Sequence, residues 1–489
     1  MAERRDTLAR VRGLVARRGP PCVAILGCGF TGAAAAIALI EAAEGRLRLV
    51  IVDRDRSRGG GIAYGRARAG ERMNVRARDL SIFHDRPGDF AEWMASLLGD
   101  DACGAPGLGP SGAAGADLAT IADSFAPRAM FANYVRRRLA QTVAAHPHVT
   151  LETLEREARR ISPAPGGGFS VTLNEGPELH ADAVALATGY GDPQPRFGRS
   201  PHEPIAPRDL AGLRRVALIG AGLTMADVLL RLRADGCEAQ VEVISRRALA
   251  PRAHAETAAR PPALRTPAGV RLADLLRDLR AATRAAEAAG RPWQGEVNRL
   301  RPHAQHIWHG LTEEDRARFM RHLRPFWDAH RHRLPPAQHE RLTAELARPR
   351  TRLRAGRILS ASGEAPCRLR VAWRGERGIA SLDVDLAIDC SGHRPDLSSP
   401  LLASLIEQRL AAPDPAGVGL RVSADGRLWR PEGGDVSGLF ALGPLGQGSL
   451  FEITAVPEIA RQAALAAQTL RDLLSMRGAA PACAAQGGG

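Results

Sequence analysis

Apolar residues along this chain fall in short unbroken runs, and the first run sets a pattern that recurs. Cys22-Val-Ala-Ile-Leu26 is followed by glycines, then by the alanine-rich stretch Ala33–Ala43, then by a second apolar run, Leu47–Val52. The order predicts strand, turn, helix, strand. A similar series begins at Arg215, with Val216–Ile219, Thr224–Ala234 and Val241–Ile244. Runs without alternation suit strands covered on both faces, as in parallel sheets. Phe131–Ala144 reads as a further helix and Ala183–Ala187 as a further buried strand; strand signals return at Leu369–Trp373 and Val384–Ile388. Residues 270–345 read mostly helical, with charged faces and breaks at Pro292, Pro302 and Pro335. Residues 98–122 are rich in Gly, Ala and Pro and read as a loose surface excursion, and the Ala/Gly-rich tail 476–489 is expected to be disordered.

Composition narrows the class. The chain has 489 residues, 45% hydrophobic and 25% charged, the profile of a soluble globular protein with two or three domains. No apolar run is long enough for a transmembrane helix, and the first twenty residues are charged without an apolar centre, so a secretory signal is not expected. Seven scattered cysteines form no C-x-x-C pair, which argues against structural zinc and against a dithiol relay, and fits a reducing, cytoplasmic compartment. The net charge is +14, and all 67 basic side chains are arginine. They are spread along the chain with only 4% aromatics, so nucleic-acid binding is not expected. The lack of lysine excludes a Walker A loop and any Schiff-base chemistry.

Gly27-Cys-Gly29-Phe-Thr31-Gly32 follows a strand and opens a helix. The first glycine permits the tight turn, the second lets a pyrophosphate approach the backbone, and the third lets helix and strand pack closely. The helix N-terminus faces the phosphates, and Asp53, at the end of the next strand, is placed to accept from ribose hydroxyls. In that frame the motif predicts dinucleotide binding. Gly220-Ala-Gly222-Leu-Thr224-Met225 opens the second unit with its third glycine replaced, so close packing must come from Ala226 or from a shifted helix. Its next strand ends in Ser245-Arg246-Arg247, where NAD enzymes carry an acid. A hydroxyl and guanidinium groups suit a 2′-phosphate, so NADPH is favoured, with NADH possible. Two strand ends closing in glycine, at Thr188-Gly189 and at Asp389-Cys390-Ser391-Gly392, bracket the second unit.

Together these residues resemble bacterial FAD/NAD(P)-binding proteins related to flavin-dependent urate hydroxylase, with flavin N-hydroxylating monooxygenases as distant relatives. The resemblance also rests on Gly59-Gly-Gly-Ile-Ala-Tyr64-Gly65, Met73-Asn74-Val75, Asp89-Phe90-Ala-Glu-Trp93, the segment 301–333 with Trp308 and Trp327, and Gly443-Pro444 running to Phe451-Glu452 and Pro457. It implies an α/β fold with two Rossmann-like dinucleotide-binding domains, the second inserted into the first and carrying a helical insertion. The FAD domain would occupy 20–205 and 389–475, and the NAD(P) domain 206–388, with the insertion at about 262–345. It implies FAD at the first turn, NADPH at the second, Tyr64 and Asn74 lining the flavin, and Gly443 near it. Other flavoproteins have Gly-Asp where this chain has Gly443-Pro444, so the ribityl contact of that acid is absent or passes to backbone amides. N-hydroxylases of the broad group often hold their substrate with lysine, and this chain has none, which argues against an ornithine or lysine substrate.

Three functions fit. The first is an FAD monooxygenase acting on a small organic molecule. The second is an NAD(P)H-dependent flavin reductase that does not insert oxygen. The third is a non-catalytic, dinucleotide-binding redox sensor. The histidines of 301–333 lack an H-E-x-x-H arrangement, so no metal is expected. Trp308, Phe319 and Trp327 read as helix-packing residues, and Arg324, Arg331 and Arg333 as either an anion site or a solvated face.

Overall fold

The structure is a computed structural model and describes residues 19–55, 59–68, 70–99, 117–192, 194–257, 271–363 and 365–479. Its strands are β1 (Cys22–Leu26), β2 (Leu47–Asp53), β3 (Val149–Glu155), β4 (Ala158–Pro163), β5 (Phe169–Leu173), β6 (Leu179–Ala181), β7 (Ala183–Leu186), β8 (Arg215–Ile219), β9 (Gln240–Ser245), β10 (Thr351–Ser362), β11 (Cys367–Trp373), β12 (Ala380–Val384), β13 (Leu386–Asp389), β14 (Arg427–Trp429) and β15 (Asp435–Ala441). They form one sheet in the order β14-β15-β7-β1-β2-β3, a second in the order β12-β11-β10-β9-β8-β13, and a small antiparallel sheet β4-β5-β6. In the first sheet β15, β7, β1, β2 and β3 run parallel. In the second β13, β8, β9 and β10 do. Every strand of the second sheet falls between β7 and β14 in the chain, so the chain leaves the first sheet, builds the second and returns.

Burial explains the unbroken apolar runs. In β1, Val23 and Ile25 enter one core while Cys22, Ala24 and Leu26 enter another on the opposite face. In β8, Val216 and Leu218 face one core and Ala217 and Ile219 another. A strand covered on both faces has no solvent side to mark with polar residues. The helices that cover the first sheet include Phe30–Ala42, Arg128–Ala145 and Val456–Ala479.

Several sequence expectations need correction. Val384–Ile388 is not one strand. The chain breaks at Asp385, whose carboxylate accepts the amides of Arg214 (2.7 Å) and Arg215 (2.8 Å), and Val384 ends β12 while Leu386 starts β13. Within the supposed excursion, Leu118–Asp123 is a helix capped by the Asp117 carboxylate, which accepts from Thr120 N at 2.9 Å; residues 100–116 lie outside the described residues. The last helix continues past Met476 to Ala479, so the tail is not disordered from its start; 480–489, the N-terminal eighteen residues and 262–270 of the helical insertion also lie outside the described residues. Pro302 falls in a tight turn, Arg301–His303, that joins the Gln294–Leu300 and Ala304–Gly310 helices.

Candidate functional site

The two glycine turns share the same backbone angle and the same amide hydrogen bond. Gly27 has φ +105° and Gly220 φ +106°, values L side chains rarely adopt. Each donates its amide to the end of the adjacent strand at 2.8 Å, Gly27 to Val52 O and Gly220 to Ile244 O. A Cβ on Gly27 would stand 2.5 Å from Ala187 O, and one on Gly220 2.4 Å from Cys390 O. Gly29 and Gly222 are the N-cap residues of the helices Phe30–Ala42 and Leu223–Ala234, and no side chain caps either helix. The first amides of both helices therefore keep donors for a ligand, at the end of the helix where the dipole favours an anion. Thr31 stands in the first turn of one helix and Thr224 in the first turn of the other.

The turns differ in what surrounds them. A Cβ on Gly32 would lie 1.9 Å from Gly27 O, so glycine is what lets that helix rest on its own turn. At the second turn Met225 and Ala226 are both fully buried, so a large side chain enters the core where the first unit uses glycine. Gly222 has open space where its Cβ would be, which leaves Gly220 as the sterically compelled glycine of that pair. Gly29 faces the backbone of Gly61, whose Cα would be 3.7 Å from a Cβ at Gly29. Gly59 N donates to Cys28 O at 2.7 Å, so the Gly59–Gly61 loop lies over the first turn.

Asp53 closes β2 beside that turn. Its carboxylate accepts from Cys28 N, in a short contact, and from Asp55 N at 2.8 Å. A carboxylate has about four lone-pair sites, so acceptor capacity remains for hydroxyls. Thr188 and Gly189 follow β7 directly; Gly189 has φ +62°, and Thr188 O accepts from Gly191 N at 3.0 Å. Gly443 (φ +66°) presses on the head of the first helix, where its Cβ would meet Thr31 Oγ1 at 2.6 Å, and its amide donates to Gln462 Oε1 at 2.8 Å. Gly27, Gly29, Thr31, Gly32, Asp53, Thr188 and Gly443 thus gather at one end of the first sheet. Gly220, Gly222, Thr224 and Ser245 gather at the corresponding end of the second.

Other expected site residues are engaged in ways the sequence did not show. Tyr64 packs edge-on against Phe30 (6.3 Å) and Phe131 (5.0 Å), and burial pushes its hydroxyl up to about 12. The carbonyl of Asn74 bonds His254 Nε2 at 2.9 Å, a tie between the first unit and the second. Ser245 Oγ accepts from Ala248 N at 3.0 Å. Arg247 lies over the Phe326 ring at 5.0 Å, turned toward the helical insertion, while Arg246 is exposed.

Sequence reasoning missed two polar clusters, one half-buried and one buried, because their members are far apart in the chain. Arg128 donates to Asp227 at 2.7 Å, and Glu71 lies 3.9 Å from Arg128 and 3.3 Å from Arg231. Glu452, buried and at φ +59°, accepts from Trp327 Nε1 (2.8 Å) and Arg331 Nε (3.1 Å). Arg331 is therefore a buried partner of a carboxylate and not part of a solvated face. Among the described residues no group of three or more His, Cys, Asp or Glu is placed to hold a metal, and no helix is long and apolar enough to cross a membrane.

Residues 24–191 match the FAD-NAD(P)-binding family model, a stretch that runs from within β1 to the turn after β7 and includes Gly27 through Gly189. The first unit is thus an FAD-NAD(P)-binding domain. No curated protein matches the sequence. Similar solved structures include the reduced ornithine hydroxylase of Pseudomonas aeruginosa (18% identity, 93% of this chain and 100% of that one, TM-score 0.60). The ornithine N-hydroxylase of Kutzneria sp. 744 is also similar (18% identity, 94% and 100% coverage, TM-score 0.58). So is the L-lysine 6-monooxygenase of Pseudomonas syringae (16% identity, 93% and 100%, TM-score 0.59). At these identities the likeness is one of fold. The structural neighbours thus include ornithine and lysine monooxygenases, in line with the distant relation the sequence motifs implied.

Proposed function

We propose that the chain is an FAD-dependent NAD(P)H oxidoreductase that hydroxylates a small organic molecule. The observation that carries this reading is the pair of uncapped glycine turns at φ +105° and +106°, one in each parallel sheet. Two equivalent cradles in one chain call for two dinucleotides. The donor set fits them: backbone amides for each pyrophosphate, Asp53 for one ribose, and Ser245 with Arg246 for the other. The Kutzneria neighbour was solved with reduced FAD, NADP⁺ and ornithine.

When bound, the flavin supplies hydride acceptance and electron delivery to oxygen. The chain's own residues hold and orient. Gly27, Gly29 and Gly32 let the first helix present its amides, and Gly443 closes against Thr31 so that the backbone, not a side chain, stands there. Tyr64 and Asn74 are the residues we assign to the flavin's ring end, with Asn74 fixed by His254. Arg246 is free in solvent to meet a 2′-phosphate, which favours NADPH. In the overall reaction one oxygen atom enters the product and the other leaves as water; NADPH supplies two electrons and solvent a proton. The lack of lysine sets this chain apart from a diamine or diamino-acid hydroxylase that would hold its substrate with lysine.

The test is purification with stoichiometric flavin, anaerobic bleaching of that flavin by NADPH, and oxygen uptake with labelled oxygen appearing in a product. Peroxide alone across a broad panel of metabolites, urate included, together with rapid reduction of an artificial acceptor, would make the protein a plain reductase. Flavin that NADPH leaves oxidised would make it a dinucleotide-binding sensor.

A further inference from the structure

The helical segment between β9 and β10, together with Phe451, lines an open cavity of about 610 Å³, within the size range of small-molecule sites. Trp308, Phe319 and Trp327, which the sequence offers as helix-packing residues, are among its lining side chains. One wall is the helix Leu272–Ala288, whose Leu272, Leu275, Leu276 and Leu279 recur at the helical period on one face. None of these leucines is fully buried; the only fully buried residue of that helix is Ala286. Leu272 packs on the aromatic cluster of the facing wall, and Leu275, Leu276 and Leu279 line the cavity with it. The opposite wall is aromatic. Trp308 stacks on Phe451 at 5.0 Å, Phe319 meets Phe451 edge-on at 5.3 Å, and Trp327 lies 5.8 Å from Phe451.

The indole nitrogens of Trp308 and Trp327 in the aromatic wall are already used. Trp308 Nε1 donates to Gly448 O at 2.9 Å and Trp327 Nε1 to Glu452 Oε1 at 2.8 Å, so both indoles show the cavity only ring carbon. The Thr283 hydroxyl donates to Arg280 O at 3.0 Å, and His330 Nδ1 bonds Phe326 O at 2.8 Å. The charged residues that border the cavity, Arg252, Arg280 and Glu287, are exposed and stand at its rim. Past that rim, an ionised ammonium or a many-donor heterocycle would lose its water against leucine and aromatic side chains that offer it little in return. A hydrocarbon or aromatic body would gain contact with the leucine wall and with the aromatic wall. Phe451 and Trp327 also border the polar recess formed by Gln447, Glu452 and Thr454, in the stretch that begins at Gly443. The cavity therefore abuts the segment that packs on the first glycine turn.

We propose that this cavity is the substrate chamber and that its substrate is an apolar small molecule, aromatic or branched aliphatic, uncharged over the part that enters. The assignment as substrate rests on the flavin oxidoreductase reading above; the assignment as an apolar binding site does not.

The experiment titrates purified, flavin-loaded protein with 2-naphthol, and separately with ornithine and with urate, by calorimetry and by the emission of the lining tryptophans. Saturable binding of 2-naphthol with quenching is expected, and none by ornithine or urate. Leu276→Trp, which fills the cavity, should weaken 2-naphthol by roughly tenfold or more, whereas Leu276→Met should bind like the parent. Thr283→Trp narrows the same space from the rim and serves if Leu276→Trp fails to fold, judged by its flavin content and melting temperature. Binding of 2-naphthol that neither tryptophan variant weakens, or binding of urate or ornithine in its place, overturns the proposal. Flavin that NADPH does not reduce would sink the oxidoreductase reading alone, since the titration needs no turnover.

Discussion

Arg128 and Asp227 meet at 2.7 Å across the join between the two sheets' units, one from the helix that covers the first sheet and the other from the helix that follows the second glycine turn. Both are mostly buried, with Glu71 and Arg231 completing the group. Burial raises the Asp227 carboxyl above its usual range, while Arg128 opposes that rise. Removing Arg128 leaves the Asp227 carboxylate without its paired cation, while Glu71 keeps Arg231 at 3.3 Å. Arg128→Ala should cost about 3–5 kcal/mol of stability, read by denaturant unfolding, and Arg128→Ala with Asp227→Asn should recover part of it. A loss below about 1 kcal/mol would show that the pair is solvated.

Gly29→Val should yield protein without flavin. A Cβ alone fits, at 3.7 Å from Gly61 Cα, but the branches beyond it reach the covering loop and the space in front of the helix N-terminus. The absorbance ratio of purified protein decides this, and full flavin content would remove the first turn from the role. Gly220→Ala, at φ +106° and 2.4 Å from Cys390 O, should instead keep flavin and lose its reduction by NADPH.

Arg246→Ala should erode the preference for NADPH. A charge-assisted contact to the 2′-phosphate contributes ~1.5–3 kcal/mol, roughly ten- to a hundredfold in kcat/KM for NADPH against NADH. Arg247→Ala should change selectivity less, because Arg247 lies over Phe326. The two cofactors measured side by side in both variants test the ranking.

Acid should destabilise the fold through His254. Burial, then the nearby Arg333, Arg76 and Arg331, lower its pKa from 6.5 to about 4, against the opposing pull of the Asn74 carbonyl. The unfolded chain takes up a proton below about 6.5 while the folded one stays neutral until about 4, so this contribution to stability is present near neutrality and lost as pH falls through that window. His332, also lowered to about 4, acts in the same direction. Melting temperatures measured from about pH 7 to about pH 4.5 should fall, and His254→Gln should flatten the slope.

The parts of this molecule that a reader of the sequence can see are those in which a few consecutive residues fix the geometry. The turn at Gly27–Gly32 and the strand end at Asp53 are of this kind, since sterics dictate glycine and a strand of known length places the acid. The parallel sheets are legible because β1 and β8 carry the mark of two covered faces. The break at Asp385 is hidden, because it depends on two amides at Arg214 and Arg215 that lie in another part of the chain. Glu452 carries no local signal either; its partners, Trp327 and Arg331, arrive from the helical segment. Leu272, Leu275, Leu276 and Leu279 announce an amphipathic helix, but a sequence does not say whether the face that results meets protein or a chamber.

The chain crosses from the first sheet to the second and back along neighbouring paths. Arg199 N donates to Ala387 O and Asp389 N to Arg199 O, both at 2.9 Å, and the Asp389 carboxylate accepts from Arg196 N at 2.8 Å. The outward strand and the returning strand are thus sewn together at the seam. A backbone cut between Gly191 and Arg196 would sever one thread and leave the other. Such a nicked molecule would run as two bands once denatured and as a single particle in gel filtration, and it would keep its second unit in place.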